Sequence, residues 1–200
     1  MGAIAEARPQ DPPHGGPRSR RLSLAMLEKT KSKLVTRSST PTLQLTQTPV
    51  AKTAMLIRRP AAEVFEAIVN PDITTQFWFT KSSGRLDAGN PVKWEWEIYD
   101  ASTQVTPKII DPDDRILIQW DGYSGRTDVE WKFTPWKDDT TFVSVTESGW
   151  SGSGDELAKY AADSTQGFTL MLAGLKAFLE HGVKLNLTAD RLPEGIEDNR

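Results

Sequence analysis

The chain contains no cysteine. A disulfide scaffold, a thiolate metal site and a cysteine nucleophile are excluded together. Only two histidines are present, His14 and His181, near opposite ends of the sequence. That leaves little material for histidine-based catalysis or a histidine-rich metal centre. No run approaches the ~18 consecutive apolar residues of a membrane-spanning helix. Charge of one sign is also lacking. The 24 basic and 27 acidic residues leave a net charge of −3, so bulk charge does not point to nucleic acid. No phosphate-binding glycine loop, nucleophile elbow or helical metal-ligand pair occurs; the GYSGR and SGSGD strings lack the strand–loop–helix context such a cradle needs.

What is present divides the chain. Residues 1–50 hold eight basic and three acidic residues, six of the 13 prolines and no aromatic residue. Such a segment cannot bury enough apolar surface to offset chain entropy. Residues 1–48 are therefore read as a basic, disordered extension, in which Leu22–Leu34 could form a short amphipathic helix. A transit segment and an upstream start codon, with Met26 as the true start, are the other readings. Glu6, Asp11 and the early prolines argue against the transit segment. Residues 50–183 form one domain of a size that sustains a single core, and 184–200 form a tail.

Within the domain, Lys52–Arg58 reads as a strand. Pro60 suits a helix start and Ala61–Ile68 a short helix, with a second short turn after Asn70-Pro71-Asp72. Lys81–Asn90 carries turn chemistry. Val92–Tyr99 alternates strictly, with Val92, Trp94, Trp96 and Ile98 on one face and Lys93, Glu95 and Glu97 on the other. This is the mark of a half-buried antiparallel strand. Ser102–Ile110, Arg115–Trp120, Arg126–Pro135 and Thr140–Trp150 repeat the pattern, separated by short turns. From Gly154 to Gly182 the apolar spacing changes to alternating threes and fours, which predicts one long amphipathic helix. Ser153 or Asp155 would cap its start, and Gly182 stands just past its end. The expected fold is α+β: a curved antiparallel sheet of about six to seven strands gripping one C-terminal helix.

This order, with IRRPAAEVFEAI at Ile57–Ile68, NPD at Asn70–Asp72 and Gln76-Phe77-Trp78, resembles the START-like helix-grip superfamily (SRPBCC). DRILIQW at Asp114–Trp120, TFVSVTESG at Thr141–Gly149, Gln166-Gly167-Phe168 and LKAFLE at Leu175–Glu180 extend the likeness. Within that superfamily the chain is most similar to proteins related to the C-terminal domain of the activator of Hsp90 ATPase, over about residues 52–182. The resemblance implies an apolar cavity between sheet and helix. Members bind lipids, sterols, polyketides or aromatic compounds, and some are cyclases or dehydratases.

Strand parity turns Trp94, Trp96, Trp120, Trp131 and Phe133 towards the concave side. Trp78 joins them, with Phe168, Met171 and Leu172 from the helix. Large rings suit a planar apolar ligand; the alternative is that they fill the core. Glu147 shares parity with Val143 and Val145, the face that the resemblance places inward, and so falls on an apolar wall. There it would anchor a ligand hydroxyl or act as a general acid/base; the alternative is a solvated strand end. Tyr160 and Ser164 are candidate polar partners. His181 suits a helix C-terminus, and Asp111, Asp113 and Asp114 lack the ordered spacing of a calcium loop.

The expected function is binding of a hydrophobic, aromatic or lipid-like small molecule, with no catalytic residue, cofactor or metal. A cyclase or dehydratase using Glu147, and a chaperone-interacting module implied by the resemblance, are the alternatives. The expected location is cytoplasmic, with no nucleic-acid partner and no membrane span.

Overall fold

The computed structural model of the chain describes residues 45–122, 124–193 and 196. The extension read over 1–48, including the helix considered at Leu22–Leu34, falls outside them except for its last four residues. The described elements begin with strand β1 (Ala51–Ile57), helix α1 (Ala61–Val69) and the single turn α2 (Pro71–Thr74). Strands β2 (Lys81–Ser82), β3 (Val92–Trp96), β4 (Ala101–Asp111), β5 (Arg115–Gly122), β6 (Gly125–Trp136) and β7 (Thr140–Ser148) follow. The long helix α3 (Gly154–His181) comes next, and a 3-10 turn at Ala189–Arg191 ends the series.

All seven strands form one curved antiparallel sheet in the order β1-β7-β6-β5-β4-β3-β2. From β2 to β7 each strand pairs with its sequence neighbour, as short turns favour. The first strand closes the far edge against β7, with Ile57 opposite Thr141 and Ala51 opposite Glu147. A register shift between Pro107 and Ile109 marks a bulge in β4, and such a bulge adds local twist and bend.

Two boundaries depart from the sequence reading. The alternation from Val92 stops at Trp96. Residues Glu97–Tyr99 wind into a 3-10 turn that ends at Asp100 in the left-handed region, φ 48°. Ile98, expected to face inward, is consequently exposed. The second departure lies in the 81–90 turn region, where Lys81 and Ser82 pair with Glu95 and Trp94 as a two-residue edge strand.

The ends of α3 follow local chemistry. The Ser153 hydroxyl accepts from the Glu156 backbone N–H, and the Glu156 carboxylate accepts from the Ser153 N–H, a reciprocal capping box. Gly182 ends the helix at φ 66°, a conformation that glycine adopts without strain. One face of the helix buries Phe168, Met171, Leu172 and Leu175 among Val129, Trp131 and Phe133 of the sheet. Near its C-terminus Glu180 locks the helix to β1. Burial alone would raise the Glu180 carboxyl. Lys176 Nζ at 2.5 Å, the Arg58 backbone N–H at 2.7 Å and the Arg58 guanidinium overcome this and hold it below the ordinary carboxylate range.

Gly174 marks the closest approach of α3 to the segment after α2. A methyl group there would sit 3.0 Å from the Phe77 carbonyl oxygen and 3.3 Å from Phe77 Cβ. In an open helix glycine-to-alanine gains about 1 kcal/mol. Here Gly174→Ala is expected to lose about 1–3 kcal/mol, because the obstacle is backbone and overpacking forces the elements apart. Urea unfolding midpoints measure the difference; a gain in stability would mean that α3 and Phe77 separate at no cost.

Candidate functional site

The aromatic residues of the concave face do not share one fate. Trp94, Trp131, Phe133, Met171 and Leu172 are at most 1 % exposed and pack as core. Trp78 is their junction with the rest. Its ring lies 5.0 Å from Trp94, 6.0 Å from Trp131 and 6.1 Å from Phe168, in edge-on or tilted contacts. On the other side of Trp78 the packing opens into a cavity of about 480 Å³, a size that suits a small organic ligand.

Trp78, Trp96, Trp120 and Phe168 form the aromatic wall of this cavity. Trp120 and Phe168 lie stacked, centroids 5.9 Å apart and planes 19° from parallel. Opposite them the outer rim is made by Tyr99, Ala101, Ser102 and Thr103, at the 3-10 turn and the start of β4. Five of the ten residues expected at the site thus border the cavity: Trp78, Trp96, Trp120, Phe168 and Glu147. The other five stand behind the wall.

Glu147 lies on the cavity's polar side and is only 4 % exposed. Its place follows from register. Glu147 pairs with Val129 across β6 and β7, which brings Thr127, two residues along β6 on the same face, within reach. Thr127 Oγ1 donates to Glu147 Oε1 at 2.5 Å, and Trp120 Nε1 donates to the same oxygen at 2.8 Å. From the helix, Ser164 Oγ donates to Oε2. Gly122 permits this crowding: a side chain there would meet Thr127 Oγ1 at 3.0 Å and Glu147 Oε1 at 3.5 Å. Among the described residues no Lys, Arg or His side chain pairs with Glu147.

The C-terminal tail supplies a wall that sequence reasoning left out. After α3 the chain turns back, and Thr188, Arg191 and Leu192 border the cavity. Two ties hold it. Tyr99 Oη donates to the Thr188 carbonyl, and Arg191 pairs with Asp163 of α3 while donating to Gln166 Oε1 at 3.0 Å. Nothing periodic in the sequence announces these contacts. They join a turn, a helix face and a tail across separations of 89 and 28 residues.

The remaining candidates lie elsewhere. His181 is largely exposed at the helix end, 3.9 Å from Glu180. Asp111, Asp113 and Asp114 stand exposed at the β4–β5 turn, and no group of metal-binding side chains occurs among the described residues. No described helix is long and apolar enough to cross a membrane.

Residues 58–180 match the model of the family described as activator of Hsp90 ATPase homolog 1-like protein. Among solved structures, the protein SSP2350 of Staphylococcus saprophyticus is 28% identical, with a TM-score of 0.59; the match covers 68% of this chain and 96% of that one. The Aha1 dimer of Colwellia psychrerythraea is 19% identical at a TM-score of 0.58, over 67% of this chain and 98% of the other. CalU16 of Micromonospora echinospora is 15% identical at 0.53, over 72% and 90%. The last two likenesses concern the fold. None of the curated proteins is similar enough to match the chain.

Proposed function

This chain belongs to the activator of Hsp90 ATPase homolog 1-like family, and from that premise we propose that it binds a hydrophobic small molecule, aromatic or lipid-like, in the cavity beside α3. One observation carries the reading: a cavity of about 480 Å³ lined by four large aromatic side chains and, beside one of them, the buried carboxylate of Glu147. The rings supply area and stacking, and the carboxylate fixes orientation. Both Glu147 oxygens already accept hydrogen bonds from fixed neighbours. That arrangement favours a static anchor over a proton-transfer group, which must exchange its proton with a substrate. The family name also carries a chaperone association; an aromatic-walled cavity of this size favours the small molecule.

Titration of the full chain with the neutral fluorophore N-phenylnaphthylamine tests this. Its emission is expected to rise on binding, with quenching of the cavity tryptophans. At a probe concentration of about a hundred times Kd the melting temperature is expected to climb by about 5–10 °C. Neither a fluorescence change nor a melting shift with this probe would remove the proposal.

A further inference from the structure

The cavity's ionisable side chains are not balanced alike. Asp163 is paired with Arg191 from the tail, and Asp121 at the rim lies 3.5 Å from Arg126 Nε. Among the described residues, Glu147, the most buried of the three, has only neutral donors: an indole N–H and two hydroxyls. All three contacts converge on the one side-chain carboxyl. A carboxylate offers about four acceptor positions, so these three donors leave one open, on Oε2. Burying such a group without a cation is unfavourable, and a partner that brings the missing charge gains accordingly.

The neighbouring rings supply the apolar walls of the same space. Trp120, hydrogen-bonded to Glu147 Oε1, lines the cavity beside that carboxylate and stacks on Phe168. A cation reaching Oε2 would therefore lie inside the aromatic-walled cavity, beside the ring edge that Trp120 presents to the carboxylate. Resting on the small-molecule reading above, we infer that the ligand class is the hydrophobic organic cation: an aromatic or aliphatic body that fills the space between Trp96, Trp120 and Phe168, carrying one protonated amine that donates to Glu147 Oε2.

Three matched naphthalene probes decide this on the intact chain, each competing against N-phenylnaphthylamine at neutral pH: naphthylmethylamine, naphthylmethanol and naphthoate. The ammonium is expected to bind at least about tenfold tighter than the alcohol, the margin of a charge-assisted over a neutral hydrogen bond, and naphthoate is expected to bind weakest. Glu147→Gln, where it folds, is expected to erase the preference for the amine over the alcohol. The wild-type ranking stands by itself if that variant does not fold. Equal binding of alcohol and ammonium, tightest binding by naphthoate, or an amine preference that survives in folded Glu147→Gln would overturn the cationic assignment and leave the pocket reading intact. Failure of every probe, the neutral fluorophore included, would overturn both.

Discussion

Trp131→Ala is expected to lower the free energy of unfolding by about 3–5 kcal/mol, the range for truncating a buried large aromatic residue. Trp131 is 0 % exposed and packs edge-on against Trp78 at 6.0 Å and Phe168 at 5.9 Å. It therefore supports both aromatic layers from behind without bordering the cavity. A loss of that size is a large part of the 5–15 kcal/mol that holds a typical domain together. Trp131→Phe is expected to lose less. The indole Nε1 is buried with no acceptor, so phenylalanine sheds an unsatisfied donor as well as packing area. Urea unfolding of the three proteins gives the ranking. A Trp131→Ala loss below about 1 kcal/mol would show that the ring is not part of the core.

The second large effect comes from the opposite kind of residue. Glu147→Ala is expected to cost about 2–4 kcal/mol even with no ligand present, because it strips the acceptor from Trp120 Nε1, Thr127 Oγ1 and Ser164 Oγ. Each orphaned buried group is worth about 1–3 kcal/mol. The sum is not reached, since hydroxyls can rotate towards nearby carbonyls and Trp120 borders the cavity. Ser164→Ala removes one donor and leaves the carboxylate with two, so a loss of about 1 kcal/mol is expected. Equilibrium unfolding of both variants measures this. A Glu147→Ala loss no larger than that of Ser164→Ala would mean that the three-donor network carries no stability.

The network and the core differ in how far sequence reveals them. Period-two alternation places Trp94, Trp120 and Trp131 on the inner face, the family resemblance places Glu147 there, and the structure puts all four there. The three-and-four spacing after Ser153 yields α3 to within a residue at its C-terminus, because cap chemistry is local. Alternation does not say which inward ring borders a void and which is packed solid. Trp94 and Trp96 share one parity, yet Trp94 is core and Trp96 is cavity wall. That distinction depends on where β3 stops and on what crosses in front of it, and both are settled by tertiary contacts. Thr127 lies on the inner face by the same alternation. Its role as partner to Glu147 needed the β6–β7 register, which pairs Val129 with Glu147. Tyr99, Thr188 and Arg191 were beyond reach, since turn and tail residues carry no periodicity.

The tail segment has one more consequence. The family match ends at residue 180, whereas Thr188, Arg191 and Leu192 contribute to the cavity's boundary. The tail's share of the cavity boundary thus lies outside the stretch that matches the family, which carries six of the seven strands and nearly all of α3.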